Sequence, residues 1–206
     1  MAEPTVFDQA FWESHYGSAP AIWSGEPNVQ LVAEVADLAP GTALDVGCGE
    51  GSDAVWLARR GWRVTGTDIS TVALGRAAAA ATAAGVEVTW LHADLTEEPL
   101  PGTFDLVSAQ YVHLPEVQRR ELHARLAAAV APGGTLLLVA HEEPDDEHRH
   151  PRWDMTGMFF TAAEAVAELD PAGWDVVVAE HRPRTATTPD GREVSRPDVV
   201  VRARRR

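Results

Sequence analysis

From Asn28 to Ala140 the chain alternates short, nearly continuous apolar runs with Ala- and Leu-rich stretches of helical character. Five of the apolar runs have the length and β-branched content of strands: Ala43 to Val46, Trp62 to Thr67, Val86 to His92, Phe104 to Ala109 and Thr135 to Ala140. A strand without polar alternation is covered on both faces, and strands separated by helices join through right-handed crossovers into a parallel sheet. Boundary signals mark the helices between them. Asn28 and Ser70 are side-chain caps, Pro115 suits a first turn, and Gly61 and Gly85 tolerate the left-handed conformation that closes a helix. Pro132-Gly133-Gly134 predicts a sharp return into the fifth strand.

The last quarter follows another pattern. Thr161-Ala162-Ala163-Glu164 is a capping box opening a helix, and strand-like runs follow at Trp174 to Glu180 and Asp198 to Arg202. The connector between those runs carries Thr187-Thr188-Pro189-Asp190-Gly191, rich in turn residues and too poor in apolar ones for a crossover helix, so the final pair is expected to be an antiparallel hairpin. The expected fold is α/β: a Rossmann-like, doubly wound, mostly parallel sheet with helices on both faces and an antiparallel C-terminal hairpin, in a single domain over 1–206.

Charge and cysteine content narrow the partners. The chain has 17 basic residues, all Arg, against 31 acidic ones, a formal net charge of -14, which opposes binding to nucleic acid. The run Arg202, Arg204, Arg205 and Arg206 reads as a solvated tail or an anion contact. With Cys48 as its only cysteine the sequence forms no internal disulfide. It shows neither a signal peptide nor an apolar run long enough for a membrane span, so the expectation is a soluble, cytoplasmic protein with no membrane partner.

The densest chemistry lies in Ala43-Leu44-Asp45-Val46-Gly47-Cys48-Gly49-Glu50-Gly51, a buried strand running into a glycine bend and then a helix from Ser52. Gly47 and Gly49 let backbone approach a ligand at the helix N-terminus. A dinucleotide fingerprint places its third glycine at 52, where this chain has Ser, and so provides less for a pyrophosphate. S-adenosylmethionine has no phosphate, and Asp45 suits a ligand with an ammonium group. Asp68 and Asp94 fall at the carboxyl ends of the next two strands, and Gln110 at the end of the fourth. Asp68 can accept from both ribose hydroxyls and Asp94 from the adenine amine, with Ile69 and Leu95 packing on the ring. Taken singly, each has another explanation, as a tight turn, a helix cap or a loop residue.

Jointly, Asp45-Val46-Gly47-Cys48-Gly49-Glu50-Gly51, Asp68, Asp94, Phe104-Asp105-Leu106-Val107 and Ala131-Pro132-Gly133-Gly134 resemble, in order, the motifs of class I S-adenosylmethionine-dependent methyltransferases. That resemblance implies a seven-stranded sheet, with S-adenosylmethionine as cofactor and S-adenosylhomocysteine as product. Phe11-Trp12-Glu13-Ser14-His15-Tyr16 and Ile22-Trp23-Ser24-Gly25-Glu26-Pro27-Asn28 are similar to the N-terminal segment of the tellurite-resistance and thiopurine methyltransferase branch. By that likeness residues 1–27 close over the cofactor, with Trp23 against its methionine end. The same aromatics also suit an amphipathic helix packing on the domain.

Methyl transfer is an in-line displacement in which the protein aligns an acceptor and excludes water, and a base is needed only for acceptors that hold a proton on the attacking atom. His113, then His141 with Glu142, are the candidates for base or acceptor contact, with a loop residue of no role as the alternative. Residues 141–160 are long enough for a lid over the acceptor, with Trp153, Met155, Met158 and Phe159 as its apolar wall. Asp146, His148 and His150 read as a solvated charge run, and no metal is expected. The expectation is methyl transfer to a small molecule through S, Se/Te, O or N. A nicotinamide-dependent oxidoreductase and a non-catalytic S-adenosylmethionine-binding regulator are the competing readings.

Overall fold

The computed structural model describes residues 6–100, 102–144, 154–187, 193–195 and 197–206. Two helices, α1 (Gln9–Gly17) and α2 (Val29–Val35), precede β1 (Thr42–Val46), α3 (Ser52–Arg59), β2 (Arg63–Asp68), α4 (Thr71–Ala84) and β3 (Val88–His92). There follow β4 (Phe104–Gln110), α5 (Glu116–Ala128), β5 (Val130–His141) and α6 (Ala162–Ala167). The last elements are β6 (Trp174–Arg182), β7 (Thr185–Thr187), β8 (Glu193–Ser195) and β9 (Asp198–Arg205).

Seven strands form one sheet in the order β3-β2-β1-β4-β5-β9-β6. β1 to β5 run parallel to one another, while β9 is antiparallel to both β5 and β6. β7 and β8 make a separate small hairpin in the connector where only turns were expected. Alternate side chains of the central strands feed two cores. Leu44, Val46, Val107, Leu136, Leu138 and Val201 meet α5 and α6 on one face, and Ala43, Leu106, Leu137, Val139 and Val200 meet α2 and α3 on the other. Double coverage explains why these strands lack polar alternation. Among the described residues no helix is long and apolar enough to cross a membrane.

The expected caps are present. The Asn28 side chain accepts from Gln30 N–H, Ser70 from Ala73 N–H, and the Thr161–Glu164 capping box is reciprocal. Three expectations are corrected. The third strand begins at Val88 instead of Val86, because the Val86 amide is spent on Ala81 in closing α4 behind Gly85. Pro132-Gly133-Gly134 does not return the chain but lies inside β5 as an irregularity opposite Phe104–Leu106, where a Cβ at Gly134 would stand 2.9 Å from the carbonyl oxygens of Ala131 and Asp105. The terminal arginines are not a solvated tail. Arg202 faces Glu34 at 3.5 Å, Arg205 donates to the carbonyls of Ala128 and Val130, and Arg206 pairs with Asp175 at 2.7 Å.

Candidate functional site

β1 and β4 lie side by side, yet the helix after β1 covers one face of the sheet and the helix after β4 the other. That reversal opens a crevice at the strands' carboxyl ends, the place where open α/β sheets take ligands. The bend at Gly47, Gly49 and Gly51 fills one wall, with φ of +66°, +53° and +83° that side chains rarely adopt. A Cβ at Gly47 would lie 2.8 Å from Val112 on the opposite wall, and one at Gly49 would lie 2.8 Å from the Tyr16 hydroxyl. Cys48 contributes through its backbone: its amide bonds Thr67 C=O at 2.9 Å, while its sulfur lies behind the bend beside Gly66.

Three carboxylates crowd beneath the bend. Asp45 is buried, and its Oδ2 has no hydrogen-bond partner. Burial, reinforced by the charges of Asp53 and Asp68, holds its pKa well above the usual range. Asp53 accepts the Asn28 N–H at 2.6 Å, and burial still pushes its pKa up to about 6. Asp68 accepts from Gly49 N–H and Ser70 N–H, both at 2.8 Å, and burial raises its pKa against those bonds. Each of its oxygens keeps a second lone pair for a ligand. Gln110, one residue beyond the β4 partner of Val46, gives its amide N–H to Ser108 and leaves Oε1 buried and unpaired. Unpaired buried acceptors among acidic groups call for a donor-rich, positively charged ligand.

Asp94 lies just beyond β3 and holds Thr96 through Oδ1. Ile69 is half-buried and its carbonyl bonds His92, whereas Leu95 packs partly into the core beneath. Trp23 reaches the bend from the other side, half in solvent at 50% exposure, with its indole N–H bonded to the Tyr16 hydroxyl at 3.2 Å. This N-terminal cover is clasped in two places. Glu13 accepts from Ser70, Thr71 and Val72 at the start of α4, while Glu50 accepts the amides of Ile22 and Trp23 and pairs with Arg76 at 2.7 Å.

Across the crevice the β4–α5 connection brings His113 and His141 to 5.3 Å between ring centroids. His113 also meets Phe159 at 5.6 Å, and neither of its ring nitrogens has a hydrogen-bond partner. Burial, then the neighbouring His141, pushes its pKa down to about 3. So low a basicity suits a neutral hydrogen-bonding anchor better than a base at neutral pH. His141 stacks on Tyr111 at 4.2 Å and turns Nδ1 toward Asp198, 3.5 Å away. Glu142 instead faces His181 at 3.3 Å. Met158 is buried and Met155 half-buried, while Asp146, His148, His150 and Trp153 lie outside the described residues.

Sequence reasoning did not find Asp53 or Asp198. An acid in the first turn of a helix reads as dipole compensation, and an acid before Val199-Val200-Val201 reads as a strand boundary. Their roles depend on Asn28 and His141, distant in sequence, so no local spacing announces them.

Strand order, glycine bend and motif order together resemble those of class I S-adenosylmethionine-dependent methyltransferases. Residues 43–134 match the family model described as a methyltransferase domain. An uncharacterized methyltransferase of Mycobacterium bovis is 42% identical over 115 residues, which cover 55% of this chain and 56% of that protein. The ribosomal RNA small subunit methyltransferase C of Alcanivorax borkumensis is 36% identical over 109 residues, covering 50% of this chain and 33% of that protein. The chain thus spans about half or less of the length of these relatives. Among solved structures, TehB from Haemophilus influenzae superposes with a TM-score of 0.74 at 16% identity, over 96% of this chain and 67% of that one. The N-methyltransferase NodS from Bradyrhizobium japonicum, in complex with S-adenosyl-L-homocysteine, gives 0.70 at 20% identity, over 96% and 97%.

Proposed function

We propose that the protein is an enzyme that transfers a methyl group from S-adenosylmethionine to a small-molecule acceptor held between the glycine bend and the His113–His141 wall. The observation that carries this reading is the pair of buried, unpartnered acceptors at the bend, Asp45 Oδ2 and Gln110 Oε1. They suit the cofactor's ammonium group, while Asp68 takes the ribose hydroxyls and Asp94, with Ile69 and Leu95, takes the adenine. Bound there, the cofactor supplies an electrophilic methyl group on a sulfonium. Trp23 and Tyr16 cover the bend and keep water from the methyl group, and the acceptor approaches from the side of Tyr111, His113, Met158 and Phe159. Two features favour a small acceptor over nucleic acid: the net charge of -14, and a wall that among the described residues is aromatic and apolar apart from Arg184, which is paired to Asp198.

Calorimetry with S-adenosylhomocysteine and NAD, on the wild type and Asp68→Ala, tests the reading. The wild type is expected to bind S-adenosylhomocysteine and not NAD. Losing the charge-assisted bonds of Asp68 should weaken binding by about 10- to 100-fold. NAD binding without S-adenosylhomocysteine binding would overturn the cofactor assignment.

A further inference from the structure

Arg184 lies between β6 and β7, beside the end of the sheet where Asp198 of β9 faces His141 of β5, and it is held from three sides. Its Nε donates to the two oxygens of Asp198 at 3.2 and 3.1 Å, and its Nη2 approaches His141 Nδ1 at 3.4 Å. The guanidinium carbon stands 5.8 Å from the centre of the Tyr111 ring, within reach of cation–π attraction. Asp198 is fully enclosed and also accepts from Gln30 at 3.0 Å, so the carboxylate that anchors Arg184 is itself fixed. A guanidinium carries five N–H donors in one rigid plane. Two are spent here along the side edge, at Nε and Nη2, which leaves both N–H groups of Nη1 and the second of Nη2 at the far end. That end has no partner among the described residues, and the side chain keeps 26% of its surface exposed. The neighbouring wall is a strip of rings. His141 lies 5.3 Å from His113, and His113 lies 5.6 Å from Phe159, between ring centroids. Neither nitrogen of His113 is partnered, so its one N–H is a further donor along the strip.

Resting on the methyl-transfer reading above, we propose that Arg184 selects the methyl acceptor, and that the acceptor is a planar aromatic molecule carrying a carboxylate. The free end of the guanidinium holds that carboxylate in a fork, while the ring lies along His141, His113 and Phe159. Two parallel N–H groups match the two oxygens of a carboxylate, a geometry that arginine offers and lysine does not. Asp198 occupies the side edge, so an incoming carboxylate at the far end meets the guanidinium before it meets that charge. Because Asp198 offsets the cation's long-range pull, discrimination comes from the fork itself. An analogue with a hydroxymethyl group in place of the carboxylate leaves the outer N–H groups to water and keeps only the ring contacts.

Calorimetry on the whole chain saturated with S-adenosylhomocysteine tests this with benzoate and benzyl alcohol, which share a ring and differ in the carboxylate. Benzoate should bind about 10- to 100-fold more tightly. Arg184→Gln should erase that preference while the affinity for benzyl alcohol stays within about threefold. Since glutamine at this position leaves buried Asp198 without its cation, Arg184→Lys is the second variant. It keeps a charge beside Asp198, lacks the fork, and should lose most of the preference for benzoate. Equal affinities in the wild type, or a preference that either variant retains in full, would overturn the assignment. Failure of the wild type to bind S-adenosylhomocysteine would instead remove the methyl-transfer reading, and the two probes on the free protein would still report on Arg184.

Discussion

Asp53 shows how a single buried side chain turns into a measurable property. Its pKa, raised to about 6 by burial, means that the free protein takes up a proton there on acidification. A cationic ligand favours the ionised form, so binding depresses that pKa and expels the proton. Affinity for S-adenosylmethionine should therefore rise with pH, with a log slope approaching about one per unit below pH 6, and level off above it. Asp53→Asn should flatten this profile in a calorimetric series from about pH 5 to 8, and an unchanged slope in that variant would assign the proton elsewhere. Folding carries the opposite sign: without ligand, this carboxyl favours the folded state less as pH rises from the ordinary carboxylate range through about 6. Asp68 and Asp94 were legible in the sequence because each ends a strand whose apolar run is plain. Asp45 stood out through its glycine neighbours. Asp53 and Asp198 were not, because burial and a distant partner, not residue type, give them their chemistry.

Helix boundaries were the most legible elements, since a cap is satisfied within three residues of the chain. Errors arose where a backbone amide or a close approach is settled by another element, as at Val86 and at Gly134. The short α6 shows the opposite dependence, because tertiary contacts must hold a helix of 6 residues in place. Glu168 at its end binds Arg119 and His123 of α5, at 2.7 and 2.8 Å. The Phe160 ring lies 4.9 Å from the Arg119 guanidinium and 5.2 Å from the His123 ring. Glu168→Ala would strand a buried guanidinium, costing about 3 kcal/mol and lowering Tm by about 6 to 12 °C in a thermal scan. A shift under about 2 °C would show that water replaces the carboxylate. Because Phe160 adjoins Phe159, this loss should also loosen the acceptor wall.

The parallel sheet and its antiparallel finish were readable at the level of the whole molecule, but the place of β9 was not. The final antiparallel pair does finish the sheet at its edge, but the sequence does not say which of its strands joins the rest: β9 does, lying between β5 and β6 and pairing with both. Its arginines consequently serve as ties: Arg202 joins Arg182 at Glu34, and Arg206 fastens to Asp175. These local pairs sit in a molecule whose net charge of -14 favours expansion at low ionic strength. Tm should rise by several degrees as salt screens that repulsion between about 10 and 300 mM, and a falling Tm would show that the ion pairs outweigh it.

One arrangement at the glycine bend has a practical reach beyond binding. The Trp23 indole, bonded to the Tyr16 phenol and lying against the Gly49 backbone, is a chromophore set over the ligand's path. Anything that settles on that backbone must alter the polarity and hydrogen bonding around the ring, so the protein's own fluorescence becomes a gauge of occupancy that needs no added dye.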